Sequence, residues 1–548
     1  MHLLTRRAGL LSRPAQPLGT ARSTASMSSM VVPAGVPPDD ERPTVRLAIV
    51  GDVHGDWCER RDGAALEAIA RDDAKGLDAV LLVGDFGEEA LPMVAGLAAP
   101  PPAARPRKGG PPPPRIVMLG NHDAWFSLTP RGRRRAAVRA ALAAAGLPTP
   151  PKLERPQQRE LRRGVEAAAA LAAEAAEERA GLPGAEPEDP AVLGAGAWAQ
   201  LQALGDAHAG FRHWGGLPAR AVDDDDGDGD GDDERPRPLV SVVGARPFSK
   251  GGGSIADCAR FYRAFYGLSN VEQAAARVAR AAREAPPGRS LVVLAHNGPA
   301  GMGALQHDPC GVDWLKGGAA GDHGDVDLRL ALDALHEGAA AAEEEGGSGG
   351  GGGGGEQGDP MMRRHVALVV HGHMHGRLRA GGQRRMVHVD AERRTVVLNA
   401  ATVPRVRRAA AKSGGNDDDD DDRDGDGDGD ADAKGGASTA AATLRHFLVV
   451  ELRAAGAEEG GDGEGEAARG FDSADVERAE DVWVRVEEEE EEEEGAGGRR
   501  PSAVVAERQE VLRTARGEGG GGVLKLAWDA SAGRWTQHVW RQRRRVMT

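Results

Sequence analysis

Val45 to Trp57 reads VRLAIVGDVHGDW, an apolar run that closes abruptly on an Asp, a His and two glycines. A β-branched, aliphatic run of this length bounded by Gly is the pattern of a buried strand, which puts Asp52 and His54 just past its carboxyl end. Open α/β sheets place their chemistry at that end. Alternate residues of an extended segment point the same way, so Asp52 and His54 can aim an oxygen and an imidazole nitrogen at one point. Gly51 and Gly55 permit the tight backbone that this convergence needs. Alone, an Asp-x-His after a strand reads equally well as a solvated loop, and four more strand ends decide between the two.

Reading outward, the unit recurs. Arg60 to Ala74 has helical spacing, with Leu66, Ile69 and Ala70 on one face, and Ala79 to Val83 (AVLLV) is a second buried strand ending in Gly84-Asp85. A proline-rich spacer, Pro100 to Pro114, precedes Arg115 to Leu119 (RIVML), which ends in Gly120-Asn121-His122-Asp123. Leu239 to Gly244 leads into Ala245-Arg246-Pro247-Phe248-Ser249-Lys250 and three glycines. That loop is either an ordinary Gly-rich turn or a set of guanidinium, hydroxyl and amide donors suited to an anion. Leu291 to Ala295 ends at His296-Asn297-Gly298-Pro299, and Val366 to Val370 ends at His371-Gly372-His373-Met374-His375. Strands alternating with helices predict a parallel sheet core. Thr395 to Ala400, His446 to Leu452 and Val482 to Val486 read as strands of a second sheet. Arg131 to Ala145 and Glu160 to Ala180 are Ala-rich and read as helices without tight packing, the second within an insertion over about 150–196.

Much of the 548-residue chain cannot bury anything. Poly-Ala, poly-Gly, poly-Asp and poly-Glu stretches hold too few apolar side chains to offset the entropy of ordering them. What remains suits one large domain over 44–486. Low-complexity insertions interrupt it at about 150–196, 223–236, 338–360, 409–440 and 455–470, and an acidic run and C-terminal tail follow over 487–548. The net charge of −16 is a product of these stretches: Asp223 to Glu234 holds nine acids, Asp417 to Asp432 eleven and Glu487 to Glu494 eight. Outside them the chain is mildly basic, and self-solvating acidic loops explain the runs. Cys58, Cys258 and Cys310 are too few and too scattered for a disulfide framework or a zinc ribbon, and Cys58 reads as a small core residue. Residues 1–43 carry Arg6, Arg7, Arg13 and Arg22, many Ser and Thr, and no acid before Asp39, which is transit-peptide composition. No apolar run approaches the ~18–20 residues that span a bilayer, so no membrane partner is expected.

The constellation is Asp-x-His, Gly-Asp, Gly-Asn-His-Asp, His and Gly-His-x-His, in that order, each closing a buried strand. Carboxylate and amide oxygens mixed with imidazoles suit two borderline divalent ions such as Mn, Fe or Zn, whereas Mg or Ca favour all-oxygen cages. Two ions close enough to polarise a common water need a shared ligand, and one Asp can serve.

These residues resemble the calcineurin-like metallophosphoesterase superfamily, over roughly Arg46 to Ala401 with the insertions as gaps. The resemblance implies an α/β fold, a four-layer α/β/β/α sandwich of two mixed sheets. Carried over by motif, it implies that Asp52, His54 and His375 bind one metal, that Asn121, His296 and His373 bind the other, and that Asp85 bridges them. His122 would be the acid near the leaving group, oriented by Asp123. After Gly84-Asp85 the chain reads FGEEA where the protein Ser/Thr phosphatase branch has Val-Asp-Arg-Gly, and Asp123 stands where that branch has Glu. Both departures point away from phosphoprotein substrates. GDFGEE, GNHDAW, GARPFSKGG, AHNGPAG, and CGVDW followed by GDHGD are similar to a branch found in cyanobacteria and in plant and algal plastids. That implies the chloroplast stroma, with mitochondrion or cytoplasm as alternatives, and specifies no substrate.

The implied reaction is hydrolysis of a phosphate mono- or diester by a metal-bridging hydroxide, on a small phosphorylated substrate, with Arg246 and His323 as candidate substrate contacts. Two other readings stay open. One is a metal-binding scaffold without catalysis, against which His122 and the complete ligand set stand. The other is a nuclease, for which the chain lacks a basic stripe interleaved with aromatics.

Overall fold

Thr44–Val50 forms the first strand (β1), extended because its β-branched and aliphatic side chains find apolar surface on both faces of the sheet. The computed structural model describes residues 43–72, 76–87, 90–98, 112–147, 156–180, 188–218, 238–314, 321–337, 364–390, 392–409, 442–454, 474–487, 501–513, 523–529 and 534–540. After β1 come α1 (Glu59–Asp72), β2 (Ala79–Leu82), α2 (Leu91–Ala98), β3 (Arg115–Val117), α3 (Pro130–Ala144), α4 (Pro156–Ala180), α5 (Pro190–Leu193) and α6 (Ala195–Leu204). Then follow β4 (His213–Pro218), β5 (Pro238–Gly244), α7 (Ala259–Tyr266), α8 (Val271–Arg283), β6 (Ser290–Leu294), α9 (Val326–Glu337), β7 (Val366–His371), β8 (Val387–Asp390) and β9 (Thr395–Asn399). The last strands are β10 (Val406–Arg408), β11 (Thr443–Ala454), β12 (Ala474–Glu487), β13 (Ser502–Arg513), β14 (Val523–Asp529) and β15 (Arg534–Trp540).

Two mixed sheets result. One runs β13-β12-β11-β1-β2-β3, with β10 also paired to β11, and the other runs β4-β5-β6-β7-β9-β8. β1, β2 and β3 are parallel, as are β5, β6, β7 and β9. The period of two in each strand sorts its side chains between two cores. Val45, Leu47 and Ile49 of β1 meet Val240, Val242, Val292, Leu294, Leu368 and Val370 of the other sheet. Ala48 and Val50 turn outward to Ala65, Leu66 and Ile69 of α1, while Val293 and Val369 turn to Val278 of α8 and Leu328 of α9. Two sheets thus face each other with helices outside, each fully buried aliphatic side chain contributing about 1.5–3 kcal/mol. Ser290 pins the sheets together: its hydroxyl donates to the Ala474 carbonyl (2.8 Å) and accepts from the Ala474 amide (2.7 Å).

Several sequence expectations change. His446–Leu452 and Val482–Val486 fall in β11 and β12, which join the sheet of β1; only the Thr395 run lies in the other sheet. Each run is apolar enough to form a strand, but that says nothing about which strand is the partner. The helix expected over Glu160 to Ala180 is present as α4, and although it falls within the expected insertion it is tied to α3 by Arg133–Glu177 (2.5 Å) and Arg134–Glu174 (2.6 Å) instead of by large apolar side chains. α6 places Ala197 and Leu204 in the core. The tail expected after 487 contributes β13, antiparallel to β12. The expected leader up to residue 42 and the acidic and poly-Gly segments at 223–236, 338–360, 410–440 and 455–470 lie outside the described residues. No helix among the described residues is long and apolar enough to cross a membrane.

Candidate metal centre

The parallel strands of both sheets bring their carboxyl ends to one edge, and the loops leaving them interlock there. The amides of Val53 and His54 donate to the carbonyls of Gly84 and Asp85 (3.2 and 2.7 Å), Phe248 N donates to Leu119 O (2.7 Å), and Gly372 N donates to His296 O (2.8 Å). The His373 amide donates to both Asp52 carboxylate oxygens at 3.0 Å, tying the loop after β7 to the loop after β1. His54, Asp85 and His373 hold positive φ angles of 44°, 57° and 66°. Non-glycine residues seldom adopt that region, and held there they cluster at functional sites.

Three groups of ligand-type side chains converge, each with its atoms within 4.8 Å of one another: Asp52, His54 and His375; His54, Asp85 and His122; and Asp85, His296 and His373. His375 Nε2 is 3.5 Å from Asp52 Oδ2 and 3.3 Å from His54 Nε2. His54 Nε2 stands 4.0 Å from Asp52 Oδ2 and 3.9 Å from Asp85 Oδ2. Ligand atoms about 2.0–2.2 Å from one ion are spaced roughly 3–3.6 Å apart, close to these separations. The clustered residues could hold metal ions. Asp52, Asp85, Asn121 and His296 form a buried floor, and His54, His122, His373 and His375 are more open above it.

His296 carries the strongest argument. Its Nδ1 lies 2.8 Å from the Val83 carbonyl, which can only accept, so the ring proton sits there and Nε2 presents a lone pair. That lone pair faces Asn121 Oδ1 at 3.0 Å and Asp85 Oδ1 at 3.3 Å. A cation among these three buried atoms satisfies them all; without one, Asp85, whose carboxyl burial holds toward the protonated form, has to supply a proton between them.

Charge tells the same story. Burial lowers the pKa values of His54 and His296, holds His373 well below the ordinary imidazole range, and takes His122 down to about 4, the last helped by His54 and His296. These rings are neutral at pH 7 and present lone pairs. Burial also raises Asp85 well above the carboxylate range, reinforced by Asp52 and Asp123, and pushes Asp123 up to about 7. Burial works against Asp52 too, but the His375, His296 and His54 imidazoles outweigh it and keep its pKa low. Carboxylates crowded without a counter-charge are relieved by cations.

Glycine permits the close approach at two points. A Cβ on Gly120 would meet Asp85 Oδ1 at 2.2 Å and His296 Cε1 at 2.5 Å, and one on Gly372 would meet Asp52 Oδ1 at 2.0 Å. Gly372→Ala should therefore displace the Asp52 carboxylate. Since misplacement by about 1 Å can cost ~10²-fold in rate, turnover should fall about that much, and calorimetric titration with Mn should show weakened binding. Parental affinity in this variant would mean that Asp52 does not reach a metal.

The turn carrying His54 is fixed from behind. Arg405 and Arg445 both donate to the Asp56 carbonyl (3.0 and 3.2 Å), and each also reaches a different oxygen of buried Asp62 (2.7 and 2.5 Å). Asp62→Ala would leave two guanidinium groups buried without their carboxylate. A loss of about 3–5 kcal/mol is expected in denaturant unfolding; a loss under about 1 kcal/mol would show that the triad carries little of the fold's stability.

Two expected roles are corrected. Arg246, a candidate substrate contact, is buried and engaged with Asp327 (2.9 Å), Asp325 (2.8 Å) and the Tyr262 hydroxyl (3.1 Å), so it cements the loop after β5 to α9 and its approach. Asp123 is not the group that orients the His122 ring. Its carboxylate accepts the backbone amides of Asp85 (3.0 Å), Gly87 (2.7 Å) and Gly120 (2.7 Å), clamping the loops after β2 and β3. The His122 ring is instead stacked on Trp125, with centroids 4.5 Å apart and planes at 11°, and its amide donates to Asp85 Oδ1 (2.9 Å). Trp125 stands in the GNHDAW stretch, where its spacing after His122 was the available signal. His323 lies beside the cluster, stacked on His373 (5.8 Å) with its Nε2 donating to the Lys250 carbonyl (2.7 Å). His371 turns away, its Nδ1 on Gly372 O.

No protein-family model matches the chain, and no curated protein matches it in sequence.

Proposed function

We propose that the protein is a binuclear metal-dependent phosphoesterase of the calcineurin-like superfamily that hydrolyses a small phosphorylated substrate in the plastid. The observation that carries this reading is the lone-pair convergence of His296, Asn121 and Asp85, which fits a cation, with Asp85 shared between two ligand groups. The motif resemblance supplies the reaction class. In this reading Asp52, His54 and His375 hold one ion, Asn121, His296 and His373 hold the second, and Asp85 holds both. Two such ions would lower the pKa of a shared water and offset the charge of the phosphoryl group. His122 stands within ligand-group distance of Asp85 and His54 and is the side chain placed to meet charge on the leaving oxygen. Its ring is neutral at pH 7 in the metal-free protein, and a phosphate anion beside it raises its pKa toward the charged form that can give a proton. Trp125 fixes the ring plane while it does so.

The direct test is hydrolysis of p-nitrophenyl phosphate and bis-p-nitrophenyl phosphate by the full chain. Activity should depend on added Mn, Fe or Zn and disappear with a chelator. Full metal loading with neither ester cleaved would leave a binding scaffold as the better description, and cleavage of nucleic acid in preference to both would favour a nuclease.

A further inference from the structure

Trp57, Trp198, Trp214 and Trp483 are buried or half-buried, but Trp125 and Trp314 are 41% and 40% exposed. Both exposed rings stand at the candidate metal centre. Trp125 stacks on His122, whose ring meets His54 edge-on at 5.1 Å. Trp314 meets His323 edge-on at 4.9 Å, and His323 stacks on His373. The two indoles therefore end two separate short rows of rings, Trp125–His122–His54 and Trp314–His323–His373, each of which leads to a candidate metal ligand. An indole left in water forgoes the burial that a large aromatic ring normally gains, and such rings beside a polar site act as stacking platforms. Trp125 is also held in place: its amide donates to the His122 carbonyl (3.4 Å), and one ring face is already taken by His122. A platform fixed in advance adds affinity because little is left to immobilise on binding.

We propose that Trp125 and Trp314 bind a planar ring carried by the phosphoester, which makes the substrate class a nucleotide. This rests on the phosphoesterase reading above and specifies its substrate. The phosphoryl group would sit over the buried floor while the base stacks on an indole at the rim.

Adenosine 5′-monophosphate and ribose 5-phosphate are both esters of the same primary alcohol of ribose, so their leaving groups match and the base is what differs. The full metal-loaded chain should favour the nucleotide in kcat/KM by at least about 10-fold, and Trp125→Ala/Trp314→Ala should reduce that preference about 10-fold. Trp125→Phe/Trp314→Phe should recover part of it, since a smaller ring still stacks. An indole that serves only as a back-stop for His122 would slow both esters equally and leave the preference unchanged; that result overturns the proposal, as does a parent protein with no preference. If neither ester is hydrolysed, equilibrium dialysis of the nucleotide still decides the platform, and the phosphoesterase reading fails by itself only if p-nitrophenyl phosphate and bis-p-nitrophenyl phosphate are spared as well. Parent binding about 10-fold tighter than the double alanine variant supports it, and equal binding overturns it. Tighter binding of a single-stranded oligonucleotide than of the mononucleotide would also overturn it, by showing a strand-binding surface.

Discussion

Asp85→Asn should release metal from both sites and lower turnover on an aryl phosphate by more than the 10- to 100-fold that loss of an outer-shell partner costs. Asp85 is the carboxylate common to two of the three ligand groups, lying 3.3 Å from His296 and 3.9 Å from His54. The substitution is close to silent in the metal-free fold. Asn tolerates the left-handed φ of 57° found here, its oxygen can still accept the His122 amide, and the loss of a carboxyl crowded by Asp52 and Asp123 removes repulsion. The metal-free variant should therefore melt no lower than the metal-free parent, which separates loss of metal from loss of fold. Two ions retained by the variant would show that Asp85 does not bridge.

His122→Ala should keep both metals and the fold while turnover drops by ~10²- to 10⁴-fold, the range for a positioned acid. The structure makes this a sharper test than the sequence did, because His122 lies close enough to His54 and Asp85 to be a ligand itself. An acid matters most when the leaving group is poor, so the loss should shrink for an aryl oxide and grow for an alkoxide. Metal released by the variant would reassign His122 as a ligand. An equal loss on aryl and alkyl esters would give it an electrostatic role.

The sequence disclosed the strands that build the site for a local reason. β1, β2, β3, β6 and β7 are short, largely apolar and followed within a few residues by glycine, and each is followed closely by the polar residues of the site. The reading failed where a side chain's partner is far away in the chain. Arg246 looked free beside a Gly-rich turn because Asp325 and Asp327, which engage it, come about eighty residues later on the approach to α9. The motif resemblance implied an orienting role for Asp123, whereas its carboxylate accepts backbone amides, which leave no mark on residue identity. β11 and β12 have the composition of sheet strands, but their membership in the sheet of β1 is set by pairing across long connections. α4 lacks apolar side chains and is held by arginine–glutamate pairs, so its composition resembled an insertion.

Asp52, His54, Asp85, Asn121, His296, His373 and His375 should together hold a pair of ions. Elemental analysis of the full chain, reconstituted with Mn and freed of loosely bound metal by gel filtration, tests this most directly. Two ions per chain are expected, and one ion or none would show that these side chains do not form a binuclear site.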